Sequence, residues 1–192
     1  MFVEPHIQAE KKGWIEVICG SMFSGKTEEL IRRLKRAKIA NKSIKIFKPE
    51  IDTRYDKETI TSHDKNRIAS MRIVHSIDII EHAREMEVVG IDEAQFFDDN
   101  LPKVCEQLSL NGTRVIIAGL DMDFTGKPFG TMPHLLSIAE YITKLHAICM
   151  VCGNIASHSY RKTIDSDQVL LGEKDNYEAR CRACFVKKSS KI

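Results

Sequence analysis

Residues 20 to 27 read Gly20-Ser21-Met22-Phe23-Ser24-Gly25-Lys26-Thr27, the pattern G-x-x-x-x-G-K-[ST]. The motif lies between an apolar, β-rich run at 14–19 and a stretch of helical periodicity, and that context restricts the fold more than any other feature. A strand must deliver the chain into a tight turn at Gly20 and Gly25, and successive backbone N–H groups must then point inward. The following helix aims its positive N-terminal end at the same point. Such a nest of amides suits the β-phosphate of a nucleotide, with Lys26 bridging the β- and γ-oxygens and the Thr27 hydroxyl holding Mg²⁺.

The helix after the loop carries Leu30, Ile31, Leu34 and Ala37 on one face and Arg32, Arg33, Lys35 and Arg36 on the other. Glu28 and Glu29 in its first turn suit the macrodipole. The basic face reads as solvated, with nucleic-acid contact as the alternative.

Apolar β-rich runs recur at 14–19, 43–47, 71–74, 88–91, 114–118 and 141–147, with helical stretches between several of them. Strands alternating with helices imply βαβ units and a mainly parallel sheet, an α/β fold of the P-loop NTPase type. The polar, aperiodic stretch 49–65 is too long for a simple connector and reads as a functional or mobile segment. The basic tail 187–191 reads as a frayed, solvated terminus. Two units are expected, a nucleotide-binding domain over 1–146 and a small module over 147–192.

The chain of 192 residues is 43% hydrophobic and 29% charged, which excludes a largely disordered protein. Its net charge of +2 gives no reason to invoke nucleic acid or a membrane. Residues 1–12 are polar and interrupted by Pro5, so they resemble neither a signal peptide nor a membrane span. A cytoplasmic protein is expected, and its six cysteines then read as metal ligands or core residues rather than disulfides.

The run 87–91 ends in Asp92-Glu93-Ala94-Gln95. At the carboxyl end of a parallel strand this is a Walker B arrangement, in which Asp92 lies beside the phosphate loop and holds Mg²⁺ directly or through water. Glu93 points elsewhere and is placed to accept a proton, from water in an ATPase or from a substrate hydroxyl in a kinase. The same four residues resemble the Asp-Glu-Ala-Asp box of helicases, but too little chain follows for a second motor lobe.

Cys149-x-x-Cys152 and Cys181-x-x-Cys184 are two knuckles separated by 28 residues, a strong signal for structural Zn²⁺ stapling a long loop. Zinc ribbons also read nucleic acid. The loop here carries scattered charge with Gly172 and Tyr177, which suits wrapping of a small molecule. Cys19 and Cys105 read as core. Between the strand at 114–119 and the module, Phe124 and Phe129 occupy a glycine-containing loop. Either could stack on a base, worth about 1–3 kcal/mol, or pack beneath the loop; Met22 faces the same choice.

Taken together, residues 20–27, Asp52-Thr53-Arg54-Tyr55, Ile91 through Phe97, Lys127-Pro128-Phe129-Gly130 and the two knuckles resemble the zinc-containing, tetrameric type of thymidine kinase. The resemblance covers nearly the whole chain. It implies transfer of the ATP γ-phosphate to the 5′-hydroxyl of thymidine, with Gly20 to Thr27 on the phosphates, Asp92 serving Mg²⁺ and Glu93 as general base. Ala94 and Gln95 complete that nucleotide-side motif. It further implies that Asp52, Thr53 and Arg54 approach the nucleotide, Arg54 countering phosphoryl charge. Phe124, Tyr177 and the backbone of Gln168, Val169, Leu170, Leu171 and Gly172 would enclose thymidine, the stapled loop closing as a lasso. Thymidine triphosphate is implied as feedback inhibitor, and a homotetramer as the assembly, without nucleic acid or membrane partners. One departure is Ser159, where relatives often place Thr; if that side chain touches the base, the missing methyl is worth about 0.8 kcal/mol at most.

Overall fold

The computed structural model describes residues 13–51, 59–61, 67–162 and 176–189. In chain order they form β1 (Trp14–Gly20), α1 (Lys26–Ile39), β2 (Ile44–Pro49), β3 (Thr59–Thr61), β4 (Arg67–Ala69), β5 (Met71–Ile73), α2 (Asp78–His82) and β6 (Val88–Ile91). A 3₁₀ turn (Ala94–Phe96), α3 (Leu101–Leu110), β7 (Arg114–Gly119), α4 (Met132–Ile138) and β8 (Tyr141–Leu145) follow. Four short strands, β9 (Ala147–Ile148), β10 (Ile155–Ala156), β11 (His158–Arg161) and β12 (Tyr177–Arg180), and α5 (Arg182–Ser189) complete the described chain.

Six strands form one sheet in the order β5-β2-β6-β7-β1-β8, every neighbouring pair parallel. All six are the apolar runs expected from sequence, with ends shifted by a residue or two. Successive side chains of a strand face opposite ways, and both faces here are covered. Ile15, Val17 and Cys19 of β1 join Val115 and Ile117 of β7 in a core closed by α2, α3 and α4. Ile18, Ile116 and Ala118 face the other way, onto Leu30, Ile31, Leu34 and Ala37 of α1. Each fully buried aliphatic side chain contributes about 1.5–3 kcal/mol, and double coverage explains why these strands read as unbroken apolar runs.

Three sequence expectations change. Arg33 is not part of a solvated helix face: its side chain is fully buried, and Nη1 donates to Glu16 Oε2 at 2.8 Å. Glu16, also fully buried, takes further hydrogen bonds from Arg114 Nε (2.6 Å) and Trp14 Nε1 (2.7 Å), while Arg33 Nη2 reaches Thr143 Oγ1 (2.9 Å). A charge cluster inside the sheet–helix interface thereby ties β1, α1, β7 and β8 together. The stretch 49–65 is not entirely irregular, since β3 within it pairs antiparallel with β4. The basic tail is helical as far as Ser189, in α5.

Candidate active site

The phosphate-loop motif forms the turn expected of it. β1 ends at Gly20, whose φ is 142°, and a Cβ there would lie 2.2 Å from the Leu145 carbonyl oxygen, so glycine is required by both conformation and space. Gly25, left-handed at φ 84°, caps α1 without using a side chain. Lys26 Nζ donates to the Ser21 carbonyl across the loop at 2.8 Å. Ser21 Oγ and Ser24 Oγ are buried without a hydrogen-bond partner among the described residues. Unpaired hydroxyls beside a lysine and a helix N-terminus suit an anion, because each can donate to a phosphate oxygen.

β6 lies two strands from β1, with β7 between them, and its carboxyl end faces the same edge. Asp92, largely buried, accepts a hydrogen bond from Thr27 Oγ1 (3.2 Å to Oδ2) and one from the Glu93 amide (3.0 Å). One hydroxyl and one carboxylate in contact offer hard oxygen ligands for a divalent cation that keeps several waters. Glu93 diverges from its neighbour because its backbone is left-handed (φ 52°, ψ 43°), a conformation that costs a non-glycine residue about 1–3 kcal/mol. Its carboxylate accepts from Gln95 Nε2 at 2.5 Å, and Gln95 Oε1 in turn accepts from the Leu120 amide at 2.9 Å. The end of β6 is thus tied to the chain just past β7.

Below the loop, Cys19 is buried, and that burial, reinforced by the Asp121 charge, pushes its thiol up to about 11. Burial also raises Cys105. Both are inert core residues, as the sequence suggested.

The two phenylalanines of the loop after β7 separate. Phe129 is buried edge-on against Phe96, with ring centroids 5.5 Å apart. Phe124 is half-buried, and the Arg161 guanidinium carbon sits 3.7 Å from its ring centroid. Arg161 Nε and Nη2 both donate to the Tyr177 hydroxyl, at 3.1 and 2.7 Å. A buried arginine therefore joins Phe124 to Tyr177. Arg161 carries no sequence signal, since nothing local distinguishes a stacked arginine from an exposed one.

Cys149, Cys152, Cys181 and Cys184 come together, their sulfur atoms all within 4.8 Å of one another and Cys152 and Cys181 at 3.6 Å. Zn–S bonds of about 2.3 Å in a tetrahedron require sulfurs about 3.8 Å apart, so the set fits zinc with small adjustments. Burial opposes charge on Cys149, yet amides of Cys181, Val151 and Cys152 directed at it outweigh that and bring its thiol down to about 6. Cys184 donates its own S–H toward Cys152 and Cys181, and this, with its burial, pushes that thiol up to about 12. Only a bound cation would hold all four sulfurs ionised this close together. The first knuckle turns between β9 and β10, the second opens α5 after β12, and β11 pairs with β12.

The family model for thymidine kinase matches residues 13–185. The chain belongs to the thymidine kinase family. Among similar proteins, the thymidine kinase of Bacteroides thetaiotaomicron is 59% identical over 188 residues, 97% of this chain and 94% of that protein. That of Porphyromonas gingivalis is 55% identical over 185 residues, covering 96% and 91%. The Rhodothermus enzyme of the same name is 56% identical over 173 residues, covering 90% and 81%. Of the residues that the resemblance to this family singled out, 20–27, 92–95, Phe124, Tyr177 and the four cysteines have the positions given above. Asp52, Thr53, Arg54 and 168–172 lie outside the described residues. Ser159 Oγ is turned to the phosphate loop, accepting the Met22 amide at 3.0 Å. Among the described residues no helix is long and apolar enough to cross a membrane.

Proposed function

We propose that this chain is an ATP-dependent thymidine kinase, transferring the γ-phosphoryl group of ATP to the 5′-hydroxyl of thymidine. The observation that carries this reading is 59% identity across nearly the full chain to a protein of that name. The geometry supports it, because a phosphate loop, a divergent carboxylate and an aromatic pair occupy one end of the molecule.

In this reading the amides of 20–27, with Lys26, hold the β- and γ-phosphates. Thr27 and Asp92 hold Mg²⁺, which neutralises charge on the phosphate oxygens when bound. Glu93 accepts the proton of the 5′-hydroxyl as that oxygen bonds to the γ-phosphorus and the bond to the ADP oxygen breaks. Asp52 and Thr53 approach the nucleotide with Arg54, which offsets the developing charge. Phe124 and Tyr177, braced by Arg161, present faces for the base, and 168–172 supply backbone contacts. Cys149, Cys152, Cys181 and Cys184 hold a structural Zn²⁺. The division at residue 146, a cytoplasmic homotetramer and feedback by thymidine triphosphate belong to the same proposal.

The test is incubation with ATP, Mg²⁺ and a panel of nucleosides, scored for monophosphate. Thymidine monophosphate with stoichiometric ADP is expected. ADP released without nucleoside monophosphate, and stimulated by nucleic acid, would replace the reading with a P-loop ATPase.

A further inference from the structure

Just past the end of β1, Phe23 has φ 64°, the left-handed region that a non-glycine residue occupies only when its surroundings enforce it. Those surroundings belong to the zinc-binding module. The Phe23 side chain packs against a small cluster of Ala147, Cys149, Ala156 and Ala179, together with Cys181 and Cys184. One residue earlier the Met22 amide donates to Ser159 Oγ on β11, across 137 positions of sequence. Ser159 is itself buried. At the start of the loop, Gly20 abuts the Leu145 carbonyl, shortly before β9. One flank of the loop therefore rests on Leu145, Ser159 and the cluster that contains Cys149, against which Cys181 and Cys184 also pack.

A cluster of three alanines and a cysteine is too small to hold four short strands by itself, so the tie between the knuckles supplies most of what fixes its shape. Whatever fixes that shape also fixes the orientation of the Met22 peptide and the left-handed turn at Phe23. Orientation of successive peptides determines whether the remaining N–H groups converge on a phosphate.

We propose that Phe23 and Ser159 are positioning residues through which the zinc-binding module sets the shape of the phosphate loop, so that metal occupancy at the four cysteines governs nucleotide affinity. This rests on reading 20–27 as the nucleotide site. It differs from a lid that closes only over the nucleoside, for which zinc loss leaves nucleotide binding intact.

The test is calorimetric binding of Mg²⁺–ADP, without turnover, to the full chain and to Phe23→Ala, Phe23→Leu and Ser159→Ala, with zinc content measured for each. A parallel set is stripped of zinc by chelation, with Mg²⁺ then restored. Zinc removal from the unsubstituted chain is expected to weaken ADP binding about five- to a hundredfold, the scale of a released left-handed turn. Phe23→Ala should weaken it comparably while keeping about one zinc per chain, and removing that zinc should add little more. Phe23→Leu, which retains apolar contact, should recover part of the affinity. Ser159→Ala leaves the apolar cluster intact and carries the test if Phe23→Ala fails to fold; a severalfold loss with zinc retained is expected. Unchanged ADP affinity after zinc removal overturns the proposal, as does unchanged affinity in both zinc-loaded Phe23→Ala and Ser159→Ala. So does an undiminished further loss when zinc is taken from Phe23→Ala. An unsubstituted chain that binds no ADP removes the reading of the loop, and the proposal with it.

Discussion

Replacing Glu16 with Gln tests whether the charge cluster under the phosphate loop holds the sheet and α1 together. The amide has nearly the volume of the carboxylate, so no cavity forms and the change is one of charge. In the native chain a fully buried carboxylate faces the guanidinium of Arg33, whose side chain is also fully buried, and that of Arg114, whose side chain is 10% exposed. Arg33 keeps Glu29 Oε1 at 2.8 Å and Thr143 as partners after the substitution. Arg114, which retains a position 5.6 Å from the Trp14 ring, loses its anionic contact with Glu16. Removing one partner of a buried ion pair typically costs about 3–5 kcal/mol, because a charge is left uncompensated. Against a total stability of about 5–15 kcal/mol that is a large fraction. Urea unfolding at fixed protein concentration should show a lower midpoint with unchanged slope. Replacing Glu16, Arg33 and Arg114 together by Met or Leu should recover most of the loss, since an apolar cluster of similar volume carries no desolvation cost. A loss below about 1 kcal/mol for Glu16→Gln would refute the reasoning, by showing that the cluster is hydrated enough to tolerate the missing charge.

Other outcomes are expected. Glu93→Gln should keep ATP binding and lower turnover by about 10² to 10⁴-fold, measured at saturating substrates; unchanged turnover would remove Glu93 as the base. Lys26→Ala should impair ATP use with every nucleoside offered, and a loss confined to thymidine would contradict the shared phosphate contact. Thymidine triphosphate should compete with both substrates, whereas inhibition noncompetitive with both would place it at a separate site. Burial opposes ionisation of Asp98, but hydrogen bonds from the Ser76 hydroxyl and amide, with that of Asn100, outweigh it and hold the carboxyl below its ordinary value. A depressed carboxyl stabilises the fold above its unfolded pKa of about 3.9, and that contribution disappears as pH falls through the folded value. Ser76→Ala should therefore lower the urea midpoint at neutral pH and converge with the native protein in acid; a pH-independent difference would exclude this linkage.

The chemistry of this protein is written locally. A phosphate loop needs two glycines, a lysine and a hydroxyl at fixed spacing between a strand and a helix, and residues 20–27 supply them within eight positions. Asp92 and Glu93 diverge because they adjoin at a strand end, and each knuckle pairs its cysteines within four residues. The six sheet strands were equally legible, since burial on both faces leaves continuous apolar runs. What sequence could not convey depends on pairings between distant segments. Arg33 looked solvated because its helix neighbours are basic, and only the approach of β1 places Glu16 against it. Phe124 and Phe129 were indistinguishable until Phe96 covered one and Arg161 stacked on the other. Ser159 lies 137 positions from the amide it accepts, and Phe23 adopts a left-handed turn against a module at the far end of the chain. Backbone geometry and metal-ligand spacing act over a few residues and so are fixed by local sequence. Burial and the support of a strained loop depend on which surfaces meet, and only the folded chain decides that.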